Sequence, residues 1–254
     1  MTDAPARPKK LATSERTPAP HSAEEAHDPR IDIADVTDML LGTWADTRRE
    51  AREMIKDPAF HKVEGMPMAE HRERVLSQLH LLVDAGGSRR AYPEEYGGLN
   101  SNGANVAGFG ELVLADPSLQ IKSGVQWGLF GGAVENLGTA RHHKKYVADT
   151  ISLDLLGCFA MTETGHGSDV QSIETTATYD LATQEFVINS PTPSSRKDYI
   201  GGAALHAEVG AVFAQLITKG ENHGVHCFVV PLRDKEGNDL PGVTTSDCGH
   251  KGGL

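Results

Sequence analysis

Apolar residues change their spacing once along this 254-residue chain, near Leu155. Before that point they recur at helical intervals. Val75, Leu79, Leu82 and Val83 fall at i, i+4, i+7 and i+8, one face of a helix, and Gly86-Gly87 supplies a stop. Val106, Phe109 and Val113 make a second stripe closed by Asp116-Pro117. Val125, Leu129, Ala133, Val134 and Leu137 make a third, ended by Gly138. Glycine is dense between Gly97 and Gly138, although it weakens helices, which predicts backbones packed close together or close to a ligand. After Leu155 the repeat shortens to two. Leu155–Thr162 is a short apolar run. Ser172–Tyr179 alternates, turns at Asp180–Gln184 and returns through Glu185–Asn189, a hairpin. Gly210–Ile217 and Val225–Pro231 are two further strands around the turn Lys219–Asn222, and Gly242–Ser246 is a candidate for one more. Helices first and strands second predict an α+β chain. Its helical N-terminal domain spans 31–153, and an all-β, barrel- or sandwich-like middle domain spans 154–254. A β-layer this short exposes its edges, so the reading expects truncation.

Composition narrows the function. The formal net charge of −11 argues against nucleic-acid binding, which needs a basic surface to displace counterions. No apolar run approaches the roughly 20 residues that span a bilayer. Five of the 13 prolines fall within residues 1–30 among alanine, charge and hydroxyls, so this stretch is expected to be a disordered tail. Three cysteines, Cys158, Cys227 and Cys248, lack CxxC spacing, which points to a reduced compartment without a disulfide framework or thiolate metal site.

The densest chemical signal is Met161-Thr162-Glu163-Thr164-Gly165-His166-Gly167-Ser168-Asp169, which leaves a strand into a tight turn. Backbone N–H groups with hydroxyls at Thr162, Thr164 and Ser168 suit a ligand rich in carbonyl and ring-nitrogen acceptors, or a phosphate. A polar hairpin turn explains the same residues. Gly165-His166-Gly167 lacks the third glycine and the following helix of a dinucleotide fingerprint.

With Tyr92-Pro93-Glu94-Glu95-Tyr96-Gly97-Gly98, Leu129–Val134, Leu137–Thr139, His142–Tyr146, the turn Met161–Ser168, Glu174–Asp180, Asn189–Thr192, Ile200–Ala203 and Asp247–Lys251, the chain resembles the N-terminal and middle domains of an acyl-CoA oxidase, within the acyl-CoA dehydrogenase flavoprotein superfamily. The His after Gly165 and the string Glu174–Asp180 point to the oxidase branch. The resemblance implies FAD as cofactor, with Thr162 bonding the flavin ring, Gly201 offering its backbone near the reactive edge, and Ser168 facing the acyl-CoA substrate. Gly201 stands where dehydrogenases commonly carry a threonine, so a side-chain hydroxyl is lost there. The implied reaction oxidises acyl-CoA to trans-2-enoyl-CoA in fatty-acid β-oxidation, with O₂ reduced to H₂O₂. The family's base is a glutamate in the C-terminal helical domain, beyond Leu254. No catalytic residue is therefore assigned, and the chain alone is expected to be inactive. A homodimer at full length is also implied. Glu163, the only carboxylate between Met161 and Ser168, reads as structural.

Remaining features take bland readings. His142-His143 and Lys144-Lys145 read as a solvated helix end favoured by the dipole. His223 and His226 lack partners for zinc, and no metal ligand is assigned. Trp127 and Phe130 read as core, with an acyl channel as the alternative. Two rival functions stand beside the oxidase: an acyl-CoA dehydrogenase passing electrons to an electron-transfer flavoprotein, and a non-catalytic remnant or interaction module. The expected compartment is the bacterial cytoplasm, or the peroxisome in a eukaryote. The terminal Gly-Gly-Leu is not a Ser-Lys-Leu signal.

Overall fold

The computed structural model describes residues 31–251, so the expected tail at 1–30 lies outside the described residues. The chain divides into two compact units, one ending at Gly42 and one running from Thr43. In the first, helix α1 (Ile33–Leu41) starts at Asp32, whose carboxylate accepts the amides of Ala34 and Asp35.

The second unit holds α2 (Ala45–Met54), α3 (Met68–Asp84), α4 (Asn102–Glu111), α5 (Pro117–Ser123), α6 (Gly132–Leu137) and α7 (Ala140–Ser152), followed by five strands. Helix α3 follows its sequence stripe. Val75, Leu79 and Leu82 are buried, and Gly86 takes the left-handed conformation just past the helix end at φ 73°. Helix α4 does not follow its stripe: Val106 is 68% exposed, and Phe109 and Val113 are exposed too. It instead buries Ala104, Ala107 and Gly108 with Glu111, whose carboxylate takes Arg48 Nη1 at 2.6 Å and Arg52 Nε at 2.7 Å from α2. Small residues allow close approach, and the buried acid is neutralised by two guanidinium groups.

The third stripe also breaks. Gly124–Gly131 is π-helical, and Gln126, Phe130 and Gly131 are its buried residues, while Leu129 and Leu137 are exposed. An i→i+5 pattern turns the helix faces away from those a 3.6-residue repeat predicts. Tyr92 fills the widened turn. Its hydroxyl donates to the Trp127 carbonyl at 2.7 Å. A Cβ at Gly131 would lie 1.8 Å from that hydroxyl oxygen, so the glycine density here reflects close packing. Phe130 is fully buried and is a core residue, while Trp127 is half-buried, packs against the core and donates its indole N–H to the Thr150 carbonyl at 2.9 Å. At the start of α7, His142 Nδ1 accepts the Thr139 amide in a capping box. His142 and His143 thus sit in the first turn, where the helix dipole disfavours cations. His142 caps the helix and His143 Nε2 lies 2.8 Å from the Glu135 carbonyl, correcting the dipole-favoured reading.

Strands β1 (Gly157–Ala160), β2 (Thr176–Asp180), β3 (Glu185–Asn189), β4 (Val209–Thr218) and β5 (Glu221–Pro231) form one mixed sheet. Central β4 pairs antiparallel with β5 along one edge. Its other edge is shared: β1 lies parallel to Val209–Val212 and β2 parallel to Gln215–Ile217. The chain therefore leaves the sheet at Met161 and re-enters at Thr176, and the hydroxyl-rich turn occupies that excursion. Strand β3 continues from β2 as an antiparallel hairpin. Strand β5 starts at Glu221, four residues before the sequence expectation. Lys219 and Gly220 both have positive φ, at 52° and 79°, and close the hairpin in two residues. Gly242–Ser246 is not a strand. Helices meet the sheet in one core where Tyr92, Phe130, Val134, Val147 and Ile151 pack with Val209 and Ala211 of β4.

Candidate functional site

The turn after β1 is held by its acid. Glu163 is buried and accepts the Glu174 amide at 2.8 Å, the Thr175 amide at 3.0 Å and Lys197 Nζ at 3.0 Å. Burial pushes its carboxyl up, but the bonds from Thr175, Glu174 and Lys197 outweigh burial and hold it below the ordinary range. One side chain thus ties both ends of the excursion to the segment at Lys197. Glu163, His166 and Glu174 each bring a ligand atom within 4.8 Å of the others. The Glu163 oxygens are committed to amides and Lys197, and those of Glu174 accept Thr192 and Ser194 hydroxyls, so the cluster is a hydrogen-bonded network.

Beside it, Asp198 gathers donors from three directions: Thr164 Oγ1 at 3.0 Å, Arg196 Nη2 at 2.8 Å and Cys248 Sγ at 3.2 Å. The Arg196 bond leads in holding its carboxyl at about 2. The Asp198 amide donates to the Thr162 carbonyl at 3.1 Å, placing Thr162 beside the segment that runs into Gly201. Among the described residues, neither the Thr162 amide or hydroxyl nor the Gly201 amide has a hydrogen-bond partner.

A cavity of about 1300 Å³ opens here. Gly201 lines it, with a Cβ at that position only 2.9 Å from Val125 Cγ2. Thr162 is not on its wall but is bonded to Asp198, which is. Ser168 is exposed on the turn and also off the wall. Of the three residues expected at the site, the structure brings Thr162 and Gly201 into neighbouring segments and leaves Ser168 apart. Sequence reading missed most of the wall. Its cations, Lys62, Arg72, Lys122, Arg196, Lys197 and Lys251, face only three carboxylates, Glu64, Asp198 and Asp247, although the whole chain carries −11. That excess suits an anionic ligand. Arg72 on α3 pairs with Asp247, fastening the segment 242–251 over the wall. The Arg72 bond leads in holding Asp247 at about 2.

Residues 158–254 match the family model described as acyl-CoA dehydrogenase, middle domain. These residues and the helices before them are similar to acyl-CoA oxidases. The chain is 52% identical over 139 residues to peroxisomal acyl-coenzyme A oxidase 3 of Arabidopsis thaliana, covering 55% of this chain and 21% of that protein. Acyl-CoA oxidase 3 from Yarrowia lipolytica superposes with a TM-score of 0.74 at 34% identity, over 87% of this chain and 31% of the other. A Caenorhabditis elegans acyl-CoA oxidase 2 bound with FAD, ascaroside-CoA and ATP superposes with a TM-score of 0.68 at 25% identity, over 87% of this chain and 33% of the other. The chain thus spans a third or less of these proteins' length. Among the described residues, no helix is long and apolar enough to cross a membrane.

Proposed function

We propose that this chain supplies the helical (31–153) and middle (154–254) domains of an FAD-dependent acyl-CoA oxidase of fatty-acid β-oxidation. The reaction converts acyl-CoA to trans-2-enoyl-CoA and dioxygen to H₂O₂. The observation that carries this reading is the pair of unspent donor sets at Thr162 and Gly201, on segments joined by the Asp198–Thr162 bond. They adjoin a cation-rich cavity large enough for a dinucleotide. This donor chemistry fits a flavin. Thr162 would hold the ring through amide and hydroxyl, Gly201 would approach it by backbone, and Ser168 would reach the acyl-CoA from the exposed turn. Bound flavin supplies the two-electron chemistry. The chain's own residues bind and orient. Glu163 and Lys197 hold the turn, and Val125 backs Gly201 so that no side chain blocks its backbone. Asp198 and Asp247, both held near 2, are poor proton acceptors at neutral pH, so no catalytic base is assigned to them.

Partners in this reading are acyl-CoA, O₂ and, at full length, a second copy in a homodimer. The compartment is the peroxisome in a eukaryotic cell and the cytoplasm in a bacterial one. The family model, described for dehydrogenases, favours one second reading: an acyl-CoA dehydrogenase that passes electrons to an electron-transfer flavoprotein. Titrating the purified chain with FAD tests the first step. Binding with a shift in flavin absorbance is expected, weakened in Gly201→Val. Absence of binding by the wild-type chain refutes the proposal. In a full-length protein that carries this chain, oxygen consumption against dye-linked reduction with an acyl-CoA separates oxidase from dehydrogenase.

A further inference from the structure

The cavity cations differ in how their charge is spent. Arg72, Arg196 and Lys197 lie on the carboxylates of Asp247, Asp198 and Glu163. Lys122, on α5, does not: its Nζ sits 2.8 Å from Nδ1 of His206. The other ring nitrogen, Nε2, is 2.8 Å from Glu73 Oε1 on α3. An ammonium can only donate, so Nδ1 must accept and Nε2 must carry the ring proton to Glu73. That fixes one neutral tautomer. Burial foremost, and then the Lys122 charge, lower the His206 pKa and keep the ring neutral. The ring itself is 11% exposed and is pinned by its own amide, which donates to the Gly202 carbonyl at 3.1 Å. Lys122 is thus a half-buried cation on the cavity wall with a neutral partner. One of its three N–H bonds is taken by His206, and two remain for a ligand. Val125, which touches the Gly201 position, lies one helical turn farther along.

We propose that Lys122 is a binding cation of this cavity, taking a phosphate oxygen of a pyrophosphate-bearing ligand, and that His206 and Glu73 are positioning residues that aim it. Which ligand brings the phosphate rests on the proposed function, since both FAD and acyl-CoA carry a pyrophosphate. The site itself does not rest on it.

The test is equilibrium binding of FAD, octanoyl-CoA and inorganic pyrophosphate to the purified 254-residue chain. The chain is compared with Lys122→Met, Lys122→Arg, His206→Leu and His206→Asn, each first checked by circular dichroism. A charge-assisted bond of this kind corresponds to about 10-fold or more in affinity. Lys122→Met is expected to lose that factor for at least one probe, and Lys122→Arg to keep most of it. His206→Asn, which retains an acceptor near the Nδ1 position, should outperform His206→Leu. Wild-type affinity should also fall as pH rises past about 8, where Lys122, lowered chiefly by burial, loses its proton under the opposing fields of Glu73 and Arg72. Loss for FAD alone assigns the phosphate to the cofactor, and loss for octanoyl-CoA alone assigns it to the substrate. Pyrophosphate binding that needs Lys122, with neither larger ligand bound, keeps this site and refutes the flavin reading. Unchanged affinity in Lys122→Met, or no binding of any probe by the wild-type chain, overturns the proposal.

Discussion

Exchanging Glu163 for glutamine removes one charge from the turn and almost no volume, so its effect isolates the electrostatics of the tie. Glu163 Oε1 accepts both the Thr175 amide and Lys197 Nζ, and Oε2 accepts the Glu174 amide at 2.8 Å. A glutamine has one oxygen. Whichever way the amide is set, its NH₂ meets at least one N–H head on, and Lys197, 13% exposed, loses its counter-charge. Removing one partner of a buried ion pair costs about 3–5 kcal/mol. Lys197 keeps a bond to the Met161 carbonyl at 3.0 Å, which places the expected loss at the lower end. About 3 kcal/mol corresponds to a Tm lowered by about 6–12 °C for a chain of this size. Urea unfolding followed by circular dichroism, with a thermal melt, measures it. Lys197→Met and the double variant complete a cycle. The double variant should be more stable than the sum of the single losses by about 1 kcal/mol or more, because it removes the stranded ammonium. A Glu163→Gln loss below about 0.5 kcal/mol, or an additive cycle, would refute the claim that this acid holds the turn.

Two further outcomes follow from the same geometry. Gly131→Ala sets a methyl 1.8 Å from the Tyr92 hydroxyl oxygen, so it should break the Tyr92–Trp127 bond and lower stability by about 1–3 kcal/mol, read by urea midpoint and near-ultraviolet dichroism. Asp198 and Asp247 are held at about 2, below the ordinary 3.8, so the unfolded chain binds more protons between those values. The stability they contribute is present above about pH 4 and is lost as pH falls towards 2. Protease cleavage within residues 242–251 should rise over that interval in the wild type and already be high at neutral pH in Arg72→Met.

What the sequence discloses depends on whether burial follows a regular period. Helix α3 buries one ordinary face, and its stripe names Val75, Leu79 and Leu82 correctly. Helix α4 buries alanine, glycine and a doubly bridged glutamate, none of which registers as apolar periodicity, so Val106 and Phe109 stand out in the sequence yet lie outside. The segment from Gly124 to Gly131 changes its period, and no fixed interval can assign its faces. The β2–β3 hairpin was legible because its alternation is local. The first residues of β5 were not, because Glu221, Asn222 and His223 are polar and exposed and carry no apolar alternation.

The site divides along the same line, by sequence distance rather than by chemistry. The hydroxyl-rich turn is contiguous and therefore visible, and the resemblance draws on it. Its pairing with Gly201 depends on a bond between Thr162 and Asp198, 36 positions apart, set by the bridge between Glu163 and Lys197. Lys122, His206 and Glu73 come from two helices and a turn after β3, and in sequence each looks like an ordinary polar surface residue. Only the fold makes them a chain, because β4 carries β1 and β2 on the same edge and the helices pack against its first half. The long connection from β3 to β4 is thereby brought across α3 and α5, where His206 meets both Glu73 and Lys122. The arrangement of β4's two edges thus determines which polar residues share the cavity, and the binding experiments on Lys122 and Gly201 test that topology along with the ligands.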